Sequence, residues 1–370
     1  MRIGIVGYWF NRGQGVVARH LRSAFDALGH ETFVLARPTR ASNLKPSFVD
    51  SEGVWDQAGV TPASAYEIPA REYEHWAADN SIEIAFFDQN YQLDEIARLR
   101  RSGVRTVGRF VWEAFSPQHV AAATKAMDVI YSMTRAERER YAELGIDSPL
   151  IPWGCHPELL AVEGHRDPDV VRVLYPGGFM SARKPFEAVL NAFRATDDPR
   201  LRLIFKAQVP RGGRKVRRLA RRDERIEVIS DDLATDEYHE LFAGCDVCLA
   251  PSRWEGLGLH LYEATAFGMP IITNDNPPMN ELVSAGVNGL LVRGVPAGEA
   301  KSGIPAYEPD VEELGAAIER IADDELRAEL TRGAIELRER LSWDRTVAAL
   351  GALVDEVTAG DPVRTSRIDP

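Results

Sequence analysis

Two glutamates, Glu255 and Glu263, stand eight positions apart in the run Arg253-Trp-Glu-Gly-Leu-Gly-Leu-His-Leu-Tyr-Glu263. A carboxylate only accepts hydrogen bonds, so such a pair suits the vicinal hydroxyls of a ribose and of a second sugar. Gly256 and Gly258 lie between them and let the backbone approach a ligand with no Cβ in the way. A helix that begins near Gly258 would direct free N–H groups and its positive dipole end at the same ligand, which favours a diphosphate.

These residues need a scaffold, and the flanking sequence supplies one. Asp246-Val-Cys-Leu-Ala-Pro251 reads as a buried strand, the helix runs to about Phe267 and stops at Gly268, and Ile271-Ile-Thr273 starts another strand. The same alternation runs along most of the chain. Strands are expected at 2–7, 31–36, 82–87, 105–111, 128–132 and 149–153, with helices over 16–28, 93–101 and 134–144. After a Pro- and charge-rich stretch over 155–168, strands at 171–175 and 201–205 flank a helix over 185–194. Two serial sets of βα units imply an α/β fold of two Rossmann-like, doubly wound lobes facing across a cleft. Ligands of such sheets sit at the carboxyl ends of the strands. The expected division is 1–155 for the first lobe and 156–342 for the second. A helix over about 343–357 would return to the first lobe, and 358–370 would form a flexible tail.

The segment around Glu255 and Glu263 resembles the Glu-x7-Glu signature of retaining GT-B glycosyltransferases, family 4. The resemblance implies that Glu263 binds the ribose hydroxyls and Glu255 faces the transferred sugar. It also implies that the amides of Gly256, Leu257, Gly258 and Leu259 approach the donor. The loop in Leu174-Tyr-Pro-Gly-Gly-Phe-Met-Ser-Ala-Arg-Lys-Pro185, which includes Gly178, matches the place where the family grips the donor phosphates. Lys184 stands at the family's Lys position. Phe179 replaces the commoner Arg, which leaves Arg183 or Lys206 to supply the second cation. Asn274 to Glu281 and the Asn288-Gly289 pair resemble the family's acidic loop and its turn into a strand, with Asn-Gly read as a tight turn. Leu341-Ser-Trp-Asp-Arg-Thr346 resembles the closing helix, with Trp343 as a packing anchor. The implied reaction moves a sugar from a nucleotide-diphosphate donor to a hydroxyl of a small molecule, natural product or glycan, with retention, without a metal and without a further cofactor. A nucleotide-sugar epimerase of the same fold and a non-catalytic nucleotide-sugar-binding protein are the competing readings.

The first half matches the family loosely. Gly13 and Gly15 come after the first strand, where the family's loop lies against donor and acceptor. A dinucleotide fingerprint would need an acid at the end of the second strand, and Glu31-Thr-Phe-Val-Leu-Ala-Arg37 lacks one, which disfavours NAD. Glu113, Arg109 and Asn90 lie near the ends of first-lobe strands and are the candidate acceptor contacts. His260 lies within the signature helix, where packing is the simpler account.

Composition narrows the partners. The chain has 370 residues and a formal net charge of −12, which disfavours nucleic acid and anionic lipid as bulk partners. The basic run from Arg211 to Arg222 reads as a solvated helix face. Three cysteines, Cys155, Cys245 and Cys248, fit a reducing compartment. The C-x2-C pair lacks the second pair or the neighbouring His that zinc wants, and it reads as part of a buried strand. No apolar run is long enough to span a bilayer, and the chain enters a strand at once, so a cytoplasmic location is expected.

Overall fold

The structure, a computed structural model, describes residues 1–39, 48–178, 181–208 and 214–360. Phe179, the start of the basic run at 211–213 and the tail from 361 onward lie outside the described residues. The chain forms two compact units, Met1–Trp153 with Asp344 onward, and Gly154–Trp343.

The first unit holds six strands: β1 (Arg2–Tyr8), β2 (Glu31–Arg37), β3 (Val60–Pro62), β4 (Ile84–Asp88), β5 (Arg105–Arg109) and β6 (Val129–Ile130). They pair in parallel in the order β3-β2-β1-β4-β5-β6. β1 and β4 are nearly continuous apolar runs because helices cover both faces of a parallel sheet. Ile3 pairs with Ile84 and Val6 with Phe87 in the middle of the sheet. Helix Ala70–Asp79, which carries no sequence signature, buries Tyr73 and Trp76. The Trp76 ring presses on β1 so closely that a Cβ at Gly4 would come within 2.5 Å of it. The C-terminal helix Trp343–Ala359 packs in this unit, with Leu350, Leu353 and Val354 buried and the Thr346 hydroxyl donating to the Pro152 carbonyl at 2.7 Å.

Several first-unit elements differ from the sequence expectation: the strand expected at 105–111 ends at Arg109, and that at 128–132 is only Val129–Ile130. The segment 149–153 forms only an isolated bridge, Ser132 to Leu150. The first helix begins at Gly13 rather than Val16, so both glycines lie in its first turn. Gly15 is required there by close packing: a Cβ would stand 2.2 Å from the Phe10 carbonyl oxygen.

The second unit repeats the plan with β7 (Val171–Gly178), β8 (Leu201–Ala207), β9 (Ile226–Ile229), β10 (Val247–Leu249), β11 (Ile271–Asn274) and β12 (Gly289–Val292). The parallel order is β12-β11-β10-β7-β8-β9. An antiparallel ribbon, β13 (Gly294–Glu299) with β14 (Pro305–Pro309), comes after β12 and belongs to neither large sheet. Asn288-Gly289 is not the tight turn that the dipeptide predicts. Gly286 carries the positive φ of 73°, and Gly289 opens β12 against β11, where a Cβ would lie 2.1 Å from the Ile271 oxygen. Cys248 lies inside β10 as expected, and burial raises its thiol pKa. Trp343 is buried and meets His156 edge to face at 4.8 Å. Among the described residues, no helix is long and apolar enough to cross a membrane.

Candidate donor site at the carboxyl ends of the second sheet

β10 delivers the chain to Pro251 and Ser252, and the neighbouring β11 pins this exit. The Thr273 hydroxyl donates to the Ala250 carbonyl at 3.0 Å, and Asn274 Nδ2 donates to the Ser252 carbonyl at 3.0 Å. The loop that carries Glu255 is therefore held from below by the sheet itself.

Glu255 is met by the loop after β7. Lys184 Nζ lies 3.0 Å from Glu255 Oε2 and 2.8 Å from Ser252 Oγ, and that hydroxyl donates to the same carboxylate oxygen at 3.2 Å. Arg183 Nη1 holds the other oxygen, Oε1, at 3.0 Å. The Lys184 and Glu255 side chains are 4% and 5% exposed, whereas that of Arg183 is 33% exposed, so the cluster opens on the arginine side. Burial alone would raise the Glu255 pKa, but Arg183 and Lys184 together hold it well below the usual carboxylate range. Burial lowers the Lys184 pKa, with Glu255 opposing. His260 stands within the field of all three groups, and burial and Lys184 push it down to about 3, so it is neutral. Two cations against one carboxylate leave the cluster with an excess positive charge.

The backbone beside this cluster turns sharply. Gly258 takes the left-handed conformation, φ 74° and ψ 47°, and caps the helix Leu259–Ala266. A Cβ there would meet Leu261 Cδ1 at 3.0 Å and Glu255 Cγ at 3.4 Å, so glycine is required by conformation and by space. Gly256 and Leu257 are buried in the same bend. Glu263 lies on the second turn of the helix. The Tyr238 hydroxyl, from helix Thr235–Ala243, donates to its Oε2 at 3.2 Å. Burial raises the Glu263 pKa to about 7, with Tyr238 acting the other way. Tyr238 carries no sequence signal of its own, because only the tertiary fold brings it to Glu263.

The other candidates fall into two groups. Gly178 ends β7 with φ 52°, and its carbonyl accepts from the Gln208 N–H at 2.8 Å. Lys206 Nζ donates to the Ala207 and Asp231 carbonyls, each at 2.8 Å, so Arg183 rather than Lys206 is the second cation on Glu255. In the first unit, Gly13 and Gly15 belong to the first helix.

Arg109 and Asn90 take a different place from the acceptor contacts read in the sequence. Arg109 is buried between Asp88, at 3.3 Å, and Glu137, at 3.0 Å. Asn90 is fully buried, donating to the Tyr73 hydroxyl at 2.8 Å and accepting from the Gln92 N–H at 3.1 Å. Both side chains are committed to the interior of the first unit. Glu113 is half-buried and is the one of the three that reaches the surface.

Comparison with known proteins bears on the fold and on the stretch that carries the cluster. Residues 171–324 match the protein family described as Glycosyl transferases group 1, and this stretch contains the whole cluster. The D-inositol 3-phosphate glycosyltransferase of Acidothermus cellulolyticus is 28% identical over 218 residues, 53% of this chain and 44% of that protein. The chain thus spans less than half the length of that curated relative. Sucrose-phosphate synthase from Thermosynechococcus elongatus superposes with a TM-score of 0.75 at 18% identity, covering 98% of this chain and all of the other. The Anabaena protein HepE, solved in complex with UDP and glucose, gives 0.70 at 15% identity over 97% of this chain and all of the other. At these identities the likeness is one of fold: this is the GT-B fold of glycosyltransferases.

Proposed function

We propose that the chain is a retaining glycosyltransferase that moves a sugar, a hexosyl or related unit, from a nucleoside-diphosphate sugar to a hydroxyl of a small molecule, natural product or glycan. The observation that carries this reading is the joining of Lys184, Arg183 and Glu255 beside the left-handed Gly258 at the start of a helix. An excess of cations next to the positive end of a helix favours a diphosphate. A carboxylate kept ionised at the same spot can accept from sugar hydroxyls, and Glu263, a turn further on, can accept from a ribose. The relatives' names, glycosyltransferase and sucrose-phosphate synthase, support transfer over simple binding.

In this reading the sugar–phosphate bond breaks through an oxocarbenium-like transition state, and the negative charge that develops is on the departing diphosphate. Lys184, Arg183 and the helix start stabilise that charge, a type of contribution worth about 10²–10³ in rate per donor group. Glu255 fixes the sugar. The acceptor hydroxyl attacks on the face that the diphosphate leaves and gives its proton to a phosphate oxygen, so the configuration is retained. The cationic side chains take the part that a divalent metal plays elsewhere, and no metal is required. Buried thiols at Cys155, Cys245 and Cys248 suit a reducing, cytoplasmic setting.

The test is a screen of nucleotide sugars and hydroxylated acceptors in excess chelator, with the product's anomeric configuration read by NMR. Release of nucleoside diphosphate with retention is expected. Inversion, or activity that the chelator abolishes, would contradict the mechanism, and binding without any release would contradict transfer itself.

A further inference from the structure

We propose that the β13–β14 ribbon braces the loop bearing Arg183 and Lys184, and that Arg253 is the positioning residue through which it acts. The inference rests on the glycosyltransferase reading of the site. A two-stranded ribbon outside a larger sheet is marginal on its own, so its anchors decide where it sits. Arg253 is such an anchor, and it faces two ways. Toward the ribbon, its guanidinium pairs with Glu308 at 2.9 Å, Nη2 donates to the Ala297 carbonyl at 3.3 Å, and its own carbonyl accepts from the Tyr307 N–H at 2.9 Å. Toward the β7 loop, its N–H donates to the Arg183 carbonyl at 2.8 Å, and Nη1 donates to the Ala182 carbonyl at 3.3 Å.

One side chain thus ties both strands of the ribbon to the residue just before Arg183. Arg253 also lies two positions before Glu255. The backbone bonds would outlast a side-chain substitution, but the guanidinium fork would not. Its three nitrogens serve three segments, a geometry that the single nitrogen of lysine cannot reproduce. Catalytic groups must be held closely, and a displacement of about 1 Å can cost on the order of 10² in rate. The ribbon therefore acts on turnover by fixing Arg183 and Lys184 against Glu255, without touching substrate.

The experiment compares the full chain with its Arg253→Met, Arg253→Lys and Glu308→Gln variants by hydrogen exchange and by donor kinetics. In Arg253→Met, peptides covering 181–186 and 294–309 are expected to exchange about tenfold faster while β7 and β8 keep their protection. Turnover should fall about tenfold with the melting temperature within about 2 °C of the parent. Arg253→Lys and Glu308→Gln should fall between the two. Unchanged exchange at 181–186 would overturn the brace, as would a loss of turnover that only tracks a fall in melting temperature. If the parent chain turns over no nucleotide sugar, the proposed function fails, and the exchange measurement still decides the brace.

Discussion

Each of the two large sheets ends, at its carboxyl edge, in a cluster that pairs an arginine with carboxylate, and the two clusters have opposite character. In the first unit Asp88 ends β4, Arg109 ends β5 and Glu137 comes from helix Arg135–Glu143, with side-chain exposures of 5%, 1% and 0%. Two acids face one base. Burial raises the pKa of both acids, with Arg109 opposing. Glu137 also accepts the Met133 N–H at 2.8 Å. In the second unit one acid faces two cations, one of them a third exposed, beside a glycine bend and a helix start. The residue types and their place in the fold are alike. Charge balance and an open side separate the proposed anion site from an internal lock.

Breaking the lock should have the largest effect on stability. Arg109→Met leaves two buried carboxylates without their partner, and a loss of about 3–5 kcal/mol is expected near neutral pH. Asp88 and Glu137 have raised pKa values in the folded chain, so protonation favours folding and the loss should shrink as the pH falls. Urea unfolding at pH 5 and pH 8 measures this, and the remaining folded protein should keep its turnover. A variant of normal stability with no turnover would erase the distinction between the clusters.

Breaking the open cluster should do the reverse. Lys184→Ala is expected to lower kcat/KM by about 10²–10³, measured by release of nucleoside diphosphate, with a smaller loss of stability than Arg109→Met because Arg183 still holds Glu255. A stable variant with full activity would remove Lys184 from the donor site.

A smaller effect comes from Glu263, which titrates near 7. Its raised pKa means that its contribution to the stability of the free protein is fully present below 4.5 and lost as the pH rises through about 7. Donor binding should run the other way, because the ionised form accepts from the ribose. The donor KM should fall as the pH rises through about 7, and Glu263→Gln should flatten that dependence. Unchanged pH profiles in the variant would argue against the ribose contact. The smallest effect is expected for Tyr238→Phe. Loss of one hydrogen bond to a charged group weakens donor binding by roughly 1.5–3 kcal/mol at most. Since Tyr238 lowers the Glu263 pKa, the KM midpoint should also move to higher pH.

The second half of this architecture was legible because its chemistry is local in sequence. Strand, glycine bend, helix and strand lie within 246–273, and Lys184 and Arg183 occupy one loop. In the sequence Arg109 and Asn90 look like acceptor contacts because strand ends point toward ligands. The neighbours that enclose them, Glu137 and Tyr73, are distant in sequence and gave no hint of an internal network. Gly15 and Gly289 look like turn formers in the sequence, but each makes room for another backbone, a constraint that exists only in the folded chain. Tyr238 and the β13–β14 ribbon carry no motif, and their link to the site is tertiary.

The proposed function stands or falls with the binding of a diphosphate at the cluster of Glu255, Lys184 and Arg183. Calorimetric titration of the full chain with uridine, guanosine and adenosine diphosphates tests it most directly. At least one is expected to bind, and Lys184→Ala is expected to remove that binding while the protein stays folded. Binding of none, or binding that Lys184→Ala leaves intact, would contradict the proposed function.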